Sequence, residues 1–537
     1  MTFRYALVLL CSCSVFLSNP LTHAAAKKKG GMKQTKRVGQ GQIQPTIDGN
    51  PEKTVAACEK MLAQDPEHLE SLYNLAVASG QLGDTNKAME CVKRAVAAGL
   101  PFGRFLAGPR RLLKPLVESP EFVEFAEKHP VELLHGPMLG CVTDRGAKFW
   151  VRTVHETPIQ VVVSASKGLA SPIKSQSVTT AADLDYTAVA SVAGLKADTV
   201  YYYDVLVDGK STQGPEHPSF RTFPPPGGKA EFSVGFGGGA GFTPKHERMW
   251  DTIAAHKLLA FLFLGDNVYI DNPKRPDMQH YTYYRRQSRP EYRRFIARSP
   301  LYAIWDDHDF GTNDCFVTSK IDDPEWKIPV WKVYKNNWNN PAYGGGRENP
   351  GCYFKFAIGD VDFFMLDGRY YRTNPKMREP TMLGPVQKRW LLDGLKKSKA
   401  TFKVLASPVP WVLNAKGNSL DTWRGFADER EEIFSFLEEN KIGGVILLSA
   451  DRHRSDVWRI DREKGYPLFE FESSRLTNIH THGPQPGCLF SYNAKCSFGQ
   501  LTFDTTKSDP AVTYRIYNID DELIHTFTVK KSQLTHK

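Results

Sequence analysis

Three short segments of the sequence concentrate side chains that bind metals and transfer protons. A Gly-Asp-Asn-Val-Tyr segment spans residues 265–269, and residues 305–314 contain four aspartates, a histidine and an asparagine. Residues 447–453 end in Asp-Arg-His, which places a carboxylate and an imidazole two residues apart. Carboxylates can bridge two cations, and imidazoles bind metals or move protons near neutral pH. The three segments together predict a metal site.

Each segment follows a short apolar run, as expected where a buried strand ends in a polar loop. Strands this apolar must be covered on both faces, so residues 230–518 are predicted to form a layered α/β domain. Ligands in such folds bind at the carboxyl ends of strands, where the three segments lie. Helices are predicted at residues 385–396 and 428–439. The predicted strands are residues 232–236, 258–264, 301–305, 361–366, 402–406, 445–448 and 468–471.

The order of these segments resembles the metallophosphatases of the alkaline phosphatase D (PhoD-like) family. The resemblance runs from about residue 134 to residue 518 and therefore includes the region before the α/β domain. It implies a metallophosphoesterase-like catalytic domain. The other matching segments are residues 365–372, 383–391, 421–426 and 473–478.

The resemblance also implies roles for individual residues. His453 matches a phosphate-contacting position, and His308 beside Asp307 matches a pair from which a proton reaches the leaving group. Two cations that share Asp266 would polarise the phosphoryl oxygens and activate a water for in-line attack. The implied metal ligands are Asp266, Tyr269, Asn313 and Asp451.

One stretch departs from the family pattern. The family places a cysteine ligand in a Gly-Ser-Cys turn after the first strand of this domain, whereas residues 237–239 are three glycines. The missing thiolate disfavours Fe3+ and favours Ca2+ or another divalent cation. The turn either offers backbone N–H groups to phosphate or is only a tight turn, and His246 or Glu247 could supply a replacement ligand.

Arg454 and Arg475 are further expected phosphate contacts.

The expected activity is hydrolysis of a phosphate ester, first of all a monoester, by metal-activated water. The sequence contains neither a Gly-x-Ser-x-Gly elbow nor a Gly-x-x-x-x-Gly-Lys-Ser/Thr loop, which argues against a serine nucleophile or a nucleotide-binding loop. A phosphodiesterase with the same site is the alternative within the enzyme class. A non-catalytic binding protein is the alternative outside it, and the missing cysteine is its best support.

The start of the chain has the features of an exported protein. Residues 1–24 combine Arg4, an apolar stretch and a Thr-His-Ala end, which predicts a secretory signal and a periplasmic or secreted protein. Residues 25–50 are basic and rich in Gly and Gln, and predict a flexible linker. Much of the formal charge of +10 lies before residue 38, so the charge does not indicate a nucleic-acid partner. No later segment is apolar for long enough to span a bilayer.

Two further regions precede the α/β domain. Residues 51–130 show helical periodicity around a tetratricopeptide-like helix pair, which predicts either a docking module for a protein partner or a helical cap. Residues 134–224 alternate short strands and turns, and predict a fibronectin type III-like β-sandwich.

Two other features leave alternatives open. Residues 281–298 interleave six arginines with tyrosines, which fits a solvated helix, a rim that attracts anionic substrate or, least favoured, a nucleic-acid surface. Seven scattered cysteines follow the predicted signal, without CxxC spacing. Cys488 and Cys496 are one pair that could form a disulfide in an oxidising compartment.

Overall fold

The computed structural model describes residues 38–212 and 216–536. The predicted signal peptide and the first part of the predicted linker lie outside the described residues. Within the two described ranges, no helix is long and apolar enough to cross a membrane.

Helices fill the region before the first strand, which confirms the helical prediction for residues 51–130. Asp84 caps one of them by accepting a hydrogen bond from the Lys87 amide at 3.0 Å, and Gly83 makes the preceding turn with a φ of 80°. The tetratricopeptide assignment stays a prediction. The helices are α1 (Val38–Ile47), α2 (Pro51–Leu62), α3 (Leu69–Gln81), α4 (Thr85–Ala97), α5 (Gly103–Leu106), α6 (Arg110–Val117) and α7 (Pro120–Glu127).

Helix α1 shows that the linker prediction for residues 25–50 is wrong over its second half. Ile43 on α1 is fully buried, and the Gln42 amide donates a 2.8 Å hydrogen bond to the Ser71 hydroxyl on α3. The Gly/Gln-rich composition suggested disorder, but α2 and α3 provide the surface that buries this helix.

The next region forms antiparallel sheets that face each other, with the Phe149 and Tyr203 rings 4.6 Å apart. The strands are β1 (His135–Gly140), β2 (Gly146–Arg152), β3 (Pro158–Ser164), β4 (Ile173–Lys174), β5 (Val178–Thr179), β6 (Thr187–Ala193), β7 (Val200–Val207), β8 (Lys210–Ser211) and β9 (Ser219–Arg221). One sheet contains β1, β2 and β6, and the other contains β3, β4, β7 and β8, with β5 and β9 at its sides. The likeness to fibronectin type III stays a prediction.

Thirteen strands follow residue 230 within the described residues. Each predicted strand corresponds to an observed one, and β15 has the predicted bounds. They are β10 (Glu231–Gly237), β11 (Ala260–Leu264), β12 (Leu301–Ile304), β13 (Phe354–Ile358), β14 (Val361–Met365), β15 (Phe402–Ala406), β16 (Val445–Ser449), β17 (Ser455–Ile460), β18 (Leu468–Ser473), β19 (Phe490–Tyr492), β20 (Ser497–Asp504), β21 (Ala511–Asn518) and β22 (Leu523–Lys530).

The helices of this part lie between the strands, as an α/β fold requires. Both predicted helices are confirmed, at Gly384–Lys397 and Ala427–Glu439. The helices are α8 (Met249–Ala255), α9 (Pro276–Gln287), α10 (Pro290–Arg298), α11 (Asp307–Phe310), α12 (Lys327–Asn337), α13 (Gly384–Lys397) and α14 (Ala427–Glu439).

Two mixed sheets form the centre of the fold. One has the order β22-β21-β20-β10-β11-β12-β1-β2-β6, and the other has the order β13-β14-β15-β16-β18-β17-β19. Aromatic rings pack between them, with Phe471 4.7 Å from Tyr514 and Phe402 5.7 Å from Phe503. The strands that precede the three chemical segments, β11, β12 and β16, are buried throughout because both faces are covered.

The sheets correct two predicted domain boundaries. The β-sandwich is not separate, because β1 pairs in parallel with β12 and joins the first sheet through Gly140 and Leu301. The α/β domain does not end at residue 518, because β22 pairs with β21 in the same sheet.

The arginine- and tyrosine-rich segment forms α9 and α10. The prediction of a solvated helix or a nucleic-acid surface is wrong for α9, where Arg285 and Arg286 are each 3% exposed. The Arg286 guanidinium donates to the Ala240 carbonyl at 2.6 Å, and that of Arg285 lies 4.2 Å from the Phe242 ring centre. These arginines therefore hold the chain that leaves β10.

Candidate active site

The three chemical segments meet in one cavity at the carboxyl ends of β11, β12 and β16. Its volume is about 560 Å³. Asp266 follows β11, Asp307 and His308 follow β12, and Asp451 and His453 follow β16. The lining residues are Asp266, Asp307, His308, Asn313, Asp314, Lys416, Asp451, His453, Ile479, His480 and His482.

Unusual backbone angles aim these side chains into the cavity. Asp266, Asp451 and His453 have φ values of 54°, 70° and 53°, in the left-handed region that few residues other than glycine adopt. Gly265, with a φ of 98°, must lack a side chain because a Cβ would lie 2.5 Å from the Asp306 Cβ. Such strained positions cluster at functional sites.

The acidic turn after β12 divides its aspartates between structure and cavity. Asp306 and Asp309 cap α11 reciprocally, and Asp309 also accepts a 2.8 Å hydrogen bond from the Val268 amide. Burial and the nearby Asp266 raise the pKa of Asp309 to about 8. Asp307 instead lines the cavity. Its two oxygens accept hydrogen bonds from the His308 amide at 2.9 Å and the Asp314 amide at 2.6 Å.

Tyr269 lies beneath the cavity and connects its two sides. Its hydroxyl donates to Asp266 Oδ2 at 2.7 Å, lies 2.9 Å from His453 Nε2, and accepts from the Asn478 amide at 2.6 Å. Burial, and then the negative charge of Asp266, raise the pKa of Tyr269 well above its ordinary value. Gln40 of α1 donates to the Tyr269 carbonyl, so the N-terminal helix contacts the loop that carries this residue.

His308 has the environment of a proton donor. Its Nδ1 pairs with an Asp271 carboxylate oxygen, and its ring centre lies 4.4 Å from that of Tyr269. Burial disfavours the charged imidazole, but the carboxylates of Asp266, Asp307 and Asp271 outweigh that effect and raise its pKa to about 10. His308 is therefore protonated at neutral pH in this arrangement.

Lysine and arginine side chains pair with the carboxylates on the other wall of the cavity, which includes Asp314 and Asp451. Lys416 Nζ lies 2.9 Å from Asp451 Oδ1, 3.7 Å from Asp314 Oδ1 and 3.8 Å from Asp421 Oδ2. Arg369 binds both oxygens of Asp421 at 2.7 and 2.9 Å, and Arg372 binds one of them at 2.5 Å.

These cations shift the titration of the groups on that wall. Burial opposes ionisation of Asp421, but Arg369 and Arg372 hold its pKa below the ordinary range of aspartate. Burial raises the pKa of Asp451 to about 6, against the effect of Lys416. Burial also opposes the charge of Lys416, yet the surrounding carboxylates raise its pKa.

Three histidines form the rim above this wall. The ring centres of His453 and His480 lie 5.4 Å apart, and those of His480 and His482 lie 4.8 Å apart. Burial, followed by the positive charges of Lys416 and His453, lowers the pKa of His482 to about 3. The Arg454 guanidinium donates to the His482 carbonyl at 2.7 Å and so helps to fix this loop.

The predicted residues fall into three groups. Asp266, Asn313, Asp451, Asp307, His308 and His453 line the cavity, and Tyr269 contacts it from beneath. Arg454 and Arg475 do not line it. Arg454 pairs with Asp456 at 2.8 Å and Arg475 donates to the Asn478 carbonyl at 3.2 Å, so the expectation that they bind phosphate is wrong in this geometry.

The glycine-rich turn is a tight turn rather than a phosphate cradle. The amides of Gly238, Gly239 and Ala240 donate to the carbonyls of Ser473, Gly265 and Asp266 at 3.2, 3.3 and 2.8 Å. These bonds leave the three N–H groups unavailable to phosphate.

No replacement for the family cysteine comes from the two residues expected to supply one. Glu247 is fully buried and accepts a 2.9 Å hydrogen bond from the Trp250 ring, while His246 lies 3.1 Å from the Thr477 carbonyl. The predicted disulfide is also wrong, since Cys488 and Cys496 are both free.

Lys416, His480 and His482 line the cavity but were not predicted to do so. Asp314, Asp421 and Asn478 were named only as parts of longer segments. Asp314 lies in the acidic segment and Asn478 ends the matching stretch 473–478, so both had a signal. Lys416 had none, because it is a single lysine in a polar loop.

The donor atoms of the cavity fit a metal ion. Among the residues that the structure describes, three groups offer ligand atoms within 4.8 Å of one another: Asp266, Asp307 and His308; Asp307, Asp314 and Asp421; and His453, His480 and His482. The buried Oδ2 of Asp451 has no hydrogen-bond partner among the described residues, which leaves this carboxylate oxygen available to a cation.

Comparison with known proteins agrees with this geometry. Residues 234–486 match the family model described as PhoD-like phosphatase, and residues 130–225 match a domain of unknown function (DUF7800). Alkaline phosphatase D of Bacillus subtilis (strain 168) is 22% identical over 316 residues, which cover 49% of this chain and 52% of that protein. The chain therefore spans about half the length of this curated relative.

Two solved structures share the fold. A structure of PhoD superposes with a TM-score of 0.62 at 18% identity, covering 74% of this chain and 90% of that one. Purple acid phosphatase PPD1 from yellow lupin (Lupinus luteus) seeds superposes with a TM-score of 0.54 at 12% identity, covering 74% and 75%. The fold is therefore a metallophosphoesterase-like α/β fold, and its cavity holds a candidate metal site. Residues 234–486 are therefore similar to the PhoD-like phosphatases.

Proposed function

We propose that this chain is an exported hydrolase of phosphoric esters that depends on a metal ion and prefers monoesters. The observation that carries the proposal is the pair of carboxylates of Asp266 and Asp307, whose oxygens lie within 4.8 Å of each other beside the protonated His308 on the wall of an open cavity. Export rests on the predicted signal peptide, and the tetratricopeptide-like helices would dock a protein partner.

The metal ligands of the proposal are Asp266, Asp307, Asn313 and Asp451, the last through its Oδ2 because its Oδ1 pairs with Lys416. Their donors are carboxylate and amide oxygens, which suit Ca2+ or another hard divalent cation better than a thiolate-dependent Fe3+. A cation bound there would polarise the phosphoryl oxygens and increase the acidity of a bound water.

The other side chains position the substrate and move protons. His453 lies beside Asp266, with Nε2 3.4 Å from its Oδ2, where an imidazole N–H can donate to a phosphoryl oxygen. Tyr269 and Asn478 fix the orientation of that ring through hydrogen bonds. His308, protonated and held by Asp271, donates a proton to the leaving alkoxide.

The test is hydrolysis of p-nitrophenyl phosphate and its bis-ester by purified full-length protein, together with its metal content. We expect monoester hydrolysis that EDTA abolishes and a divalent cation restores. Asp266→Ala should lower kcat/KM by more than about 100-fold, the upper end for outer-shell partners of a metal. Asp461→Ala, at a side chain that is 77% exposed and does not line the cavity, is the matched control.

Three outcomes would change the proposal. Faster cleavage of the bis-ester would make the protein a phosphodiesterase. Metal binding without hydrolysis of either ester would favour a non-catalytic binding protein. Unchanged hydrolysis in Asp266→Ala would show that the cavity is not the active site.

A further inference from the structure

Lys416 is built into the cavity wall by its local backbone. It follows Ala415, which is fully buried, and precedes Gly417, whose φ is 60°. The Ala415 and Gly417 amides donate to the carbonyls of Val412 and Asn414 at 3.2 and 3.1 Å, so two successive turns fix the lysine backbone. The Lys416 side chain is only 14% exposed, although it lies in a polar loop.

The Lys416 ammonium group occupies the position that a metal cation would take between Asp314, Asp421 and Asp451. Its distances of 2.9, 3.7 and 3.8 Å to Asp451, Asp314 and Asp421 place it among three carboxylates from three different loops. The shortest distance is that of a charge-assisted hydrogen bond. A divalent ion would need carboxylate oxygens of the same residues.

The balance of charge differs between the carboxylates around Lys416 and the neighbouring carboxylates of Asp266 and Asp307. Asp421 already binds Arg369 and Arg372, so with Lys416 three fixed positive charges face the group. An added divalent ion would meet strong like-charge repulsion in a buried setting. Asp266, by comparison, has an ion-pair contact with His453 at 3.4 Å.

We infer that the Lys416 ammonium is a built-in cation that takes the place of one divalent ion among Asp314, Asp421 and Asp451. The site therefore holds one divalent ion fewer than the two-cation arrangement that the sequence resemblance implies. The remaining ion binds at the carboxylates of Asp266 and Asp307. The inference rests on the proposed function only in that both concern the same cavity.

The test counts bound ions in full-length protein after dialysis against Mn2+, by elemental analysis. Lys416→Met removes the charge but keeps the length of the side chain, and it should bind one more ion per chain than the wild type. Lys416→Arg keeps the charge and should bind the same number as the wild type. Lys355→Met, which removes a lysine from an ion pair with Asp362 outside the cavity lining, should also leave the count unchanged.

A second variant locates the extra ion. Asp314→Asn, combined with Lys416→Met, removes one of the three carboxylates and should abolish the gain. An equal ion count in Lys416→Met and the wild type would overturn the inference, and so would a gain that persists in the double variant.

Thermal unfolding covers the case in which Lys416→Met folds poorly without metal. In EDTA its Tm should fall below that of the wild type, because three carboxylates lose their cation, and Mn2+ should raise it by more than it raises the wild-type Tm. An equal Mn2+ response in the two proteins would contradict the inference. These measurements need no substrate, so failure of ester hydrolysis would not affect their result.

Discussion

The two carboxylate groups that share Asp307 differ in the positive charge that faces them. The group with Asp266 and His308 is buried, and its positive partners are imidazoles whose charge depends on protonation. The group with Asp314 and Asp421 faces Lys416 and two arginines, whose charges are fixed at neutral pH. The positive charge that faces the first group therefore changes with pH, whereas the second group is neutralised by fixed charges of the chain itself. Proximity of carboxylates alone does not identify a metal site.

Of the three substitutions predicted to alter stability, replacement of Arg369 should have the largest effect. Arg369 is fully buried and pairs with Asp306 at 2.5 Å and with Asp421 at 2.7 Å. Arg369→Met would leave two buried carboxylates without their main partner, which should cost about 3–5 kcal/mol of the free energy of unfolding. Chemical denaturation in EDTA measures this loss.

The control is a solvent-exposed ion pair. The Arg459 side chain is 49% exposed and pairs with Asp461 at 2.8 Å, so Arg459→Met should cost less than about 1 kcal/mol. Similar losses of the free energy of unfolding in Arg369→Met and Arg459→Met would show that the buried Arg369 ion pairs stabilise the protein no more than an exposed pair does.

His308 should give a smaller effect that depends on pH. Its pKa of about 10 in the folded protein exceeds the ordinary value of 6.5 because Asp266, Asp307 and Asp271 outweigh burial. A raised folded pKa stabilises the protein fully below about pH 6.5, and this contribution is lost as pH rises through about 10. In EDTA, the wild type should exceed His308→Gln by about 2–4 kcal/mol at pH 6, and the difference should shrink towards pH 10.

Denaturation of both proteins at several pH values measures this dependence. A difference that stays constant with pH would show that His308 acts by packing and not by charge. Added divalent cation should reduce the wild-type advantage at pH 6, because an ion at Asp266 and Asp307 competes with the charged imidazole for the same carboxylates.

The sequence predicts the strands well because each is an uninterrupted apolar run that must be buried on both faces. The site residues at the ends of β11, β12 and β16 follow from the same reasoning, since parallel strands bring their carboxyl ends together. Lys416 and His482 could not be predicted this way. They lie in loops after β15 and β18, where turn geometry at residues such as Gly417 decides which side chain faces the cavity.

Other failures have a different physical cause. Helix α1 is stabilised by burial against α2, α3 and α9, so its own Gly/Gln-rich composition gives a misleading signal for disorder. The roles expected for Arg454 and Arg475 came from their neighbours in the sequence. In the fold, Asp456 and two backbone carbonyls take up their guanidinium groups.

Gly239 should give the smallest of the three effects on stability, together with a loss of activity. Its φ is 68°, and an added Cβ would lie 2.8 Å from the Arg475 backbone nitrogen and 2.9 Å from the His453 ring. Gly239→Ala should cost about 1–3 kcal/mol and displace the imidazole that flanks Asp266, which lowers kcat for p-nitrophenyl phosphate. Gly194→Ala is the matched control, because Gly194 has a φ of 79° and a Cβ added there would meet no atom of the described residues within 4 Å. Wild-type kcat in both variants would show that catalysis does not depend on the close packing of His453 against the glycine-rich turn.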